Sequence, residues 1–182
     1  MDKNNILNVG IVGIFILIVL ASGCTSSSST ETKTFSEGVM IFNYPADFDN
    51  GTYSADDTNS SITMQEIGKL ENTAPLRTHS IMIYRNISAI SPAEARDKAV
   101  SAVNNMSTGE VLSVNTETNP NGIVIEETTY KNEPIFGIKV RFCEMFFKVN
   151  DSVYRISVYG PETNIGLQNI KSTTAIIFQS IK

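Results

Sequence analysis

The chain has 182 residues, of which 41% are hydrophobic and 18% are charged. This composition excludes an intrinsically disordered chain and a membrane protein with several spans, and the length suits one domain. A net charge of −5 argues against a nucleic-acid-binding surface. With two cysteines and one histidine, the chain has too few ligands for a disulfide scaffold, a zinc finger or a histidine-rich metal site.

The N-terminal segment resembles the signal peptide of a lipoprotein. Residues 6–20 are almost continuously apolar, and about 15 residues of helix span only about 22 Å, which is short for a bilayer crossing. The following residues, Leu20-Ala21-Ser22-Gly23-Cys24, resemble a lipobox, in which small side chains give the peptidase access and the thiol carries the lipid. We predict a signal peptide over residues 1–23 and lipidation of Cys24. The alternative is an uncleaved N-terminal anchor in which Cys24 has no role.

Both interpretations place the rest of the chain at the extracytoplasmic face of the cell membrane. Residues 25–34, with the sequence TSSSSTETKT, contain no apolar side chain and therefore predict a flexible linker. Together with the lipidated cysteine this linker covers residues 24–34. We expect the folded domain over residues 35–182, which is long enough for one hydrophobic core.

The first half of the domain predicts strands followed by a helix. Strands are expected over residues 38–45, 62–70 and 80–87, although the second of these segments would also suit a helix. Ser91-Pro92-Ala93-Glu94 then combines an N-cap serine, a proline at the first helical position and a glutamate that can complete a capping box. Apolar residues continue at helical spacing as far as Met106, so we predict a helix here.

The second half predicts two hairpins and a terminal helix. Strands over residues 110–118 and 123–131 are joined by the turn sequence Asn119-Pro120-Asn121-Gly122. A second hairpin is expected over residues 135–149 and 152–159, and its first arm is apolar at both parities. This pattern indicates either a bulge or a central strand covered on both faces. Residues 161–182 predict one helix or two short ones.

The order of these elements predicts an α+β fold with a mainly antiparallel sheet flanked by helices. The strand and helix faces place four residues in the core, namely Phe42, Tyr44, Phe146 and Ile177.

Three segments resemble the PsbP-like domain family. Residues 35–48, FSEGVMIFNYPADF, resemble its opening, although Phe48 replaces the usual tryptophan. Residues 175–182, AIIFQSIK, resemble its closing helix, with Ile181 in place of the usual phenylalanine, and residues 153–156 its penultimate strand. PsbP itself is an extrinsic photosystem subunit, and the same fold serves a Ran-binding guanine-nucleotide release factor. The resemblance implies an α-β-α sandwich over residues 35–182, a lipid-anchored version of the kind found in archaea, a tendency to bind proteins, and no catalytic residues.

The residues that could support catalysis do not form a recognisable motif. His79 lies beside Ser80 at the start of a strand, where neighbouring side chains point in opposite directions, so we predict an ordinary strand-edge residue. Cys143 lies in an apolar strand and is predicted to be buried. Three glutamates within strands could line one surface of the hairpin pair: Glu126, Glu127 and Glu144. We predict neither a catalytic site nor a cofactor.

Two further features carry possible sites. The acidic loop that contains Asp47, Asp49, Asp56 and Asp57 departs from a calcium-binding loop, since its glycine comes early and Thr58 occupies the twelfth position. We therefore predict a solvated turn and no metal site. Five N-x-[ST] sequons allow N-glycosylation: Asn50, Asn59, Asn86, Asn105 and Asn150.

The sequence thus predicts a membrane-tethered extracytoplasmic lipoprotein whose domain is not an enzyme and binds a protein or an envelope component. The alternative is a lipoprotein that binds a small molecule or a metal ion, through a pocket or through the acidic loop. No nucleic-acid partner is expected.

Overall fold

The sheet and its helices are seen in a computed structural model that describes residues 31–51, 64–72, 79–87, 89–135 and 137–182. Within these ranges, helix α1 covers Pro92–Asn104 and helix α2 covers Asn164–Ser180. Strands β1 to β9 cover, in chain order, Thr32–Glu37, Met40–Pro45, Phe48–Asn50, Met64–Asn72, Ser80–Asn86, Glu110–Thr118, Val124–Ile135, Ile138–Val149 and Ser152–Pro161.

Seven of these strands form one antiparallel sheet in the order β3-β4-β5-β9-β8-β7-β6. Helix α1 packs on one face of this sheet, and helix α2 packs on the other together with the separate β1–β2 hairpin. The predicted α+β fold with a flanked antiparallel sheet is therefore confirmed. No helix among the described residues is both long enough and apolar enough to cross a membrane.

The β1–β2 hairpin is tied to the end of the chain. Ile41 and Lys182 exchange two backbone hydrogen bonds, of 3.0 and 3.1 Å, so the C-terminal residue extends the pairing of β2. The sequence predicts that the folded domain begins at Phe35. In the structure, strand β1 already begins at Thr32. Its residues are mostly exposed, because all of them except Phe35, which packs against the core, contribute backbone pairing to β2 rather than side chains.

Strand β8 lies inside the sheet and contains the segment for which the sequence indicates either a bulge or a strand covered on both faces. Its pairing with β9 runs without interruption from Val140 to Val149, so no bulge shifts the alternation between those two strands. All residues from Cys143 to Phe147 are buried. Cys143 and Met145 face the α2 side, whereas Phe146 faces the α1 side. Both faces are covered, and the predicted core positions Phe42, Tyr44, Phe146 and Ile177 are confirmed as buried.

The helix ends follow their local sequence. The Ser91 hydroxyl accepts from the Glu94 amide at 3.2 Å, and the Glu94 carboxylate accepts from the Ser91 amide at 2.8 Å, which confirms the predicted capping box. Helix α2 is a single helix. Gly166 lies in its first turn, where a Cβ atom would stand 2.2 Å from the Pro161 carbonyl oxygen, so the glycine allows the helix to begin there.

Candidate functional site

The predicted lipidation site, Cys24, lies outside the described residues, and so do Asn59, Asp56 and Asp57. Three other sequon asparagines are exposed at the ends of elements, and Asn86 is partly buried at the end of β5. The exposed ones are Asn50, Asn105 and Asn150. Lipidation and glycosylation both stay predictions.

His79 is a structural contact between the sheet and helix α2. Its Nε2 atom lies 3.2 Å from the Thr173 hydroxyl, and its ring packs edge-on against Phe48 with 4.6 Å between the ring centroids. Burial lowers the pKa of His79, although the nearby Asp47 carboxylate acts in the opposite direction. The residue precedes β5, as expected, but it is 6% exposed and anchors the core.

The acidic loop is engaged in structural contacts at its described end. Asp47 accepts a hydrogen bond from the Asn72 side-chain amide at 2.7 Å, and Asp49 forms an ion pair with Lys33 at 2.7 Å. These contacts join β3 to β4 and to β1. The part of the chain that the structure describes contains no group of three or more His, Cys, Asp or Glu side chains suited to a metal ion.

The three strand glutamates, which the sequence allows on one surface, are divided between the two faces of the sheet. In the register of β7 and β8, Glu126 and Glu144 face the α1 side, whereas Glu127 faces the α2 side. The reason is the alternation of side chains along a strand, which separates neighbouring residues. Glu126 forms an ion pair with Arg96 and accepts a hydrogen bond from the Thr116 hydroxyl at 2.7 Å.

Glu144 belongs to a buried polar cluster on the α1 side. Its carboxylate lies 3.8 Å from the Arg155 guanidinium and accepts a hydrogen bond from the Tyr130 hydroxyl at 3.1 Å. The guanidinium also lies 3.9 Å from the centroid of the Tyr84 ring. Burial raises the pKa of Tyr84 to about 12, and it also raises the pKa of Tyr130. Both phenols are therefore harder to ionise than an ordinary tyrosine, and the cluster links side chains of β5, β9, β8 and β7.

A cleft opens on the other face of the sheet, between α2 and strands β6, β7 and β8. Its volume is about 430 Å³, within the range of small-molecule sites. Helix α2 packs most closely on β2, β9 and β8. It therefore does not cover the outer strands β7 and β6, and the cleft lies between these strands and the side of the helix. Four side chains of α2 form its apolar wall: Leu167, Ile170, Ala175 and Phe178.

Polar and charged groups also line this cleft. Glu117 comes from β6, Glu127 from β7, Arg141 from β8 and Lys171 from α2. Burial raises the pKa of Glu127, and the neighbouring Glu117 carboxylate raises it further.

The thiol of Cys143 contributes to the floor of the cleft. Cys143 is buried, as predicted, and burial raises its pKa to about 12. A thiol that stays protonated is a poor nucleophile, so Cys143 contributes shape rather than reactivity.

No pattern in the sequence identifies this cleft. Its residues are spread over 62 positions of the chain, from Glu117 to Phe178, and the apolar ones have the spacing of an ordinary core-facing helix. A weak signal is Glu127, a carboxylate within a strand that also supplies Ile125 to the core.

No protein-family model matches the sequence, and no curated protein matches it significantly. Solved structures do match the fold. The Ran-binding protein Mog1p of Saccharomyces cerevisiae superposes with a TM-score of 0.58 at 12% identity, covering 84% of this chain and 95% of that one. LpqN, involved in cell envelope biogenesis of Mycobacterium tuberculosis, has a TM-score of 0.56 at 11% identity, with 88% and 98% covered.

The cyanobacterial PsbP protein, CyanoP, of Synechocystis gives a TM-score of 0.57 at 10% identity, covering 88% of this chain and 97% of its own. At these identities the likeness concerns the fold. The expected PsbP-like fold is therefore confirmed, and it is shared with Mog1p and LpqN.

Proposed function

We propose that this protein is a lipoprotein of the extracytoplasmic membrane face, of the archaeal type, whose domain binds a small envelope component in the cleft beside α2. The observation that carries the proposal is the cleft itself. It is open to solvent, it has an apolar wall, and its few polar groups converge on one space, which are the features of ligand sites. A cleft of this size suits a small molecule better than a broad protein surface.

The contacts of the reactive side chains support a role without catalysis. His79 is held between Thr173 and Phe48, Glu144 is held by Arg155 and Tyr130, and Cys143 has a raised pKa. None of these three groups is poised as a nucleophile or a general base. The similar proteins fit a role without catalysis, because Mog1p is a Ran-binding protein, and LpqN, which is involved in cell envelope biogenesis, fits a role in the envelope.

Filling the cleft should prevent ligand capture. Ala175 is exposed on the wall of the cleft, so Ala175→Trp places a large ring in the cavity without disturbing the core. We expect native mass spectrometry of the full chain, extracted from its own membranes, to detect a bound molecule that Ala175→Trp loses. Gln168→Trp is the matched control, because Gln168 is exposed on the same helix and lies outside the cleft. If both variants retain the bound molecule equally, the proposed binding site is contradicted.

The membrane tether should depend on Cys24. We expect Cys24→Ala to block maturation or to release the domain from the membrane fraction, whereas Cys143→Ala leaves the tether intact because Cys143 is buried in the domain. Membrane fractionation measures whether the domain is released, and mass spectrometry of the mature chain measures whether residues 1–23 are removed. A mature chain that retains residues 1–23 would instead support the uncleaved anchor.

A further inference from the structure

The cleft contains two carboxylates that approach each other from adjacent strands. Glu117 of β6 is paired in register with Ile125 of β7, and Glu127 lies two residues further along β7. Such diagonal neighbours have Cα atoms about 7–8 Å apart, so their side chains can reach one bound group. Among the described residues, no Lys, Arg or His forms an ion pair with either carboxylate.

The electrostatics of Glu127 agree with this geometry. Burial raises its pKa, and the Glu117 carboxylate adds to that effect, while hydrogen bonds with Asn115 and Cys143 oppose it. Two basic residues also line the cleft, and neither forms an ion pair with the two acids. Arg141 is already paired with Glu162, and Lys171 lies exposed on α2. A cation between the two carboxylates would therefore remove an existing repulsion.

A buried hydroxyl points to the same occupant. Thr174 lines the cleft and is 9% exposed, and the neighbour of its buried hydroxyl oxygen is the Cys143 thiol, a weak hydrogen-bonding group. A buried hydroxyl that meets only a thiol keeps most of its hydrogen-bonding capacity, and its oxygen can accept a hydrogen bond from an N–H donor. Leu167 and Phe178 provide apolar contact beside it.

We propose that the cleft binds an organic cation, an ammonium group carried on a short apolar body, with the charge held by Glu117 and Glu127. The apolar body lies against Leu167, Ile170 and Phe178, and the Thr174 hydroxyl accepts a hydrogen bond from the ligand. This inference rests on the proposed function, since it specifies the ligand class of the same cleft. An anionic ligand would meet the two acids, while the charge of Arg141 is balanced by Glu162, so that its buried Nε–H, which has no hydrogen-bond partner among the described residues, remains as a donor to a neutral oxygen of the ligand.

Three probes of equal length but different charge test this inference: n-butylammonium, butyrate and n-butanol. Each is titrated at neutral pH into the full chain, held in lipid nanodiscs and labelled at its Ile and Leu methyl groups. Leu167 and Ile170 report on the cleft, and Leu112, exposed on β6, is the reporter outside it. We expect butylammonium to shift the cleft methyl resonances with an affinity at least about fivefold higher than that of butyrate or butanol, as one partly exposed ion pair provides.

Matched variants test whether Glu117 and Glu127 hold the ammonium group of the ligand. We expect Glu127→Gln and Glu117→Gln each to weaken butylammonium binding about fivefold, and Thr174→Val to weaken it about twofold. Glu110→Gln is the control, because Glu110 lies on β6 but pairs with Lys131 outside the cleft. The methyl spectrum also reports whether each variant is folded. If Glu127→Gln does not fold, Glu117→Gln tests the role of the carboxylates in binding, because Glu117 is exposed and its substitution should not disturb folding.

The outcomes separate this inference from the proposed function. Equal or tighter binding of butyrate or butanol overturns the cationic ligand but keeps the cleft as a binding site. Butylammonium binding that is unchanged by both glutamate substitutions also overturns the cationic ligand and keeps the cleft as a binding site. If none of the probes shifts the cleft methyl resonances, the inference falls, and the co-purification test with Ala175→Trp then decides on the proposed function alone.

Discussion

Arg155→Met should destabilise the domain by about 3–5 kcal/mol, because it leaves a buried carboxylate without its countercharge. Glu144 is 3% exposed and Arg155 is 7% exposed, so water cannot replace the lost partner. The substitution also removes the guanidinium from the Tyr84 ring. Urea denaturation of residues 31–182, which form one compact unit, measures the free energy of unfolding.

The double variant Glu144→Gln with Arg155→Met is the control for this effect. It removes both charges of the Glu144–Arg155 pair and keeps the buried Glu66, which is paired in register with Tyr84, and replacing both members of a buried pair costs far less than removing one of them. We expect it to recover at least about half of the loss, which a double-mutant cycle shows directly. A loss below about 1 kcal/mol for Arg155→Met alone would show that another group balances Glu144.

Phe146→Ala and Phe42→Ala should each cost about 3–5 kcal/mol, as aromatic truncations in packed cores do. Both side chains are fully buried, but they report on opposite faces of the sheet. Phe146 belongs to the same apolar cluster as Ala95 and Ala99 of α1, whereas Phe42 belongs to the cluster that contains Ile177 of α2 and stacks on Phe35 at 5.1 Å. Domains have total stabilities of about 5–15 kcal/mol, so either loss is a large fraction.

An exposed apolar residue supplies the comparison for these two variants. Leu112 on β6 is 38% exposed, and we expect Leu112→Ala to change the free energy of unfolding by less than about 1 kcal/mol. The measurement is again urea denaturation of residues 31–182. A loss at Phe146 or Phe42 as small as that at Leu112 would contradict the assignment of that face to the core.

The features that the sequence alone determines are those set by neighbouring residues. The start of α1 follows from Ser91, Pro92 and Glu94, whose caps form within one turn of helix. The apolar residues at both parities of β8 require cover on both faces, and the helices α1 and α2 provide it. The fold class follows from these local patterns and from the order of the elements.

Tertiary pairing decided the rest. The polar segment Thr32–Glu37 becomes a strand because β2 offers it a partner, and His79 is buried because Phe48 and Thr173 meet it from distant parts of the chain. Strand register sends Glu127 to the α2 side and Glu144 to the other. The cleft depends on where α2 lies across the sheet, a long-range packing choice that leaves β6 and β7 beside the helix. Periodicity along a chain sets which face a side chain takes, but contacts between distant segments set what meets it there.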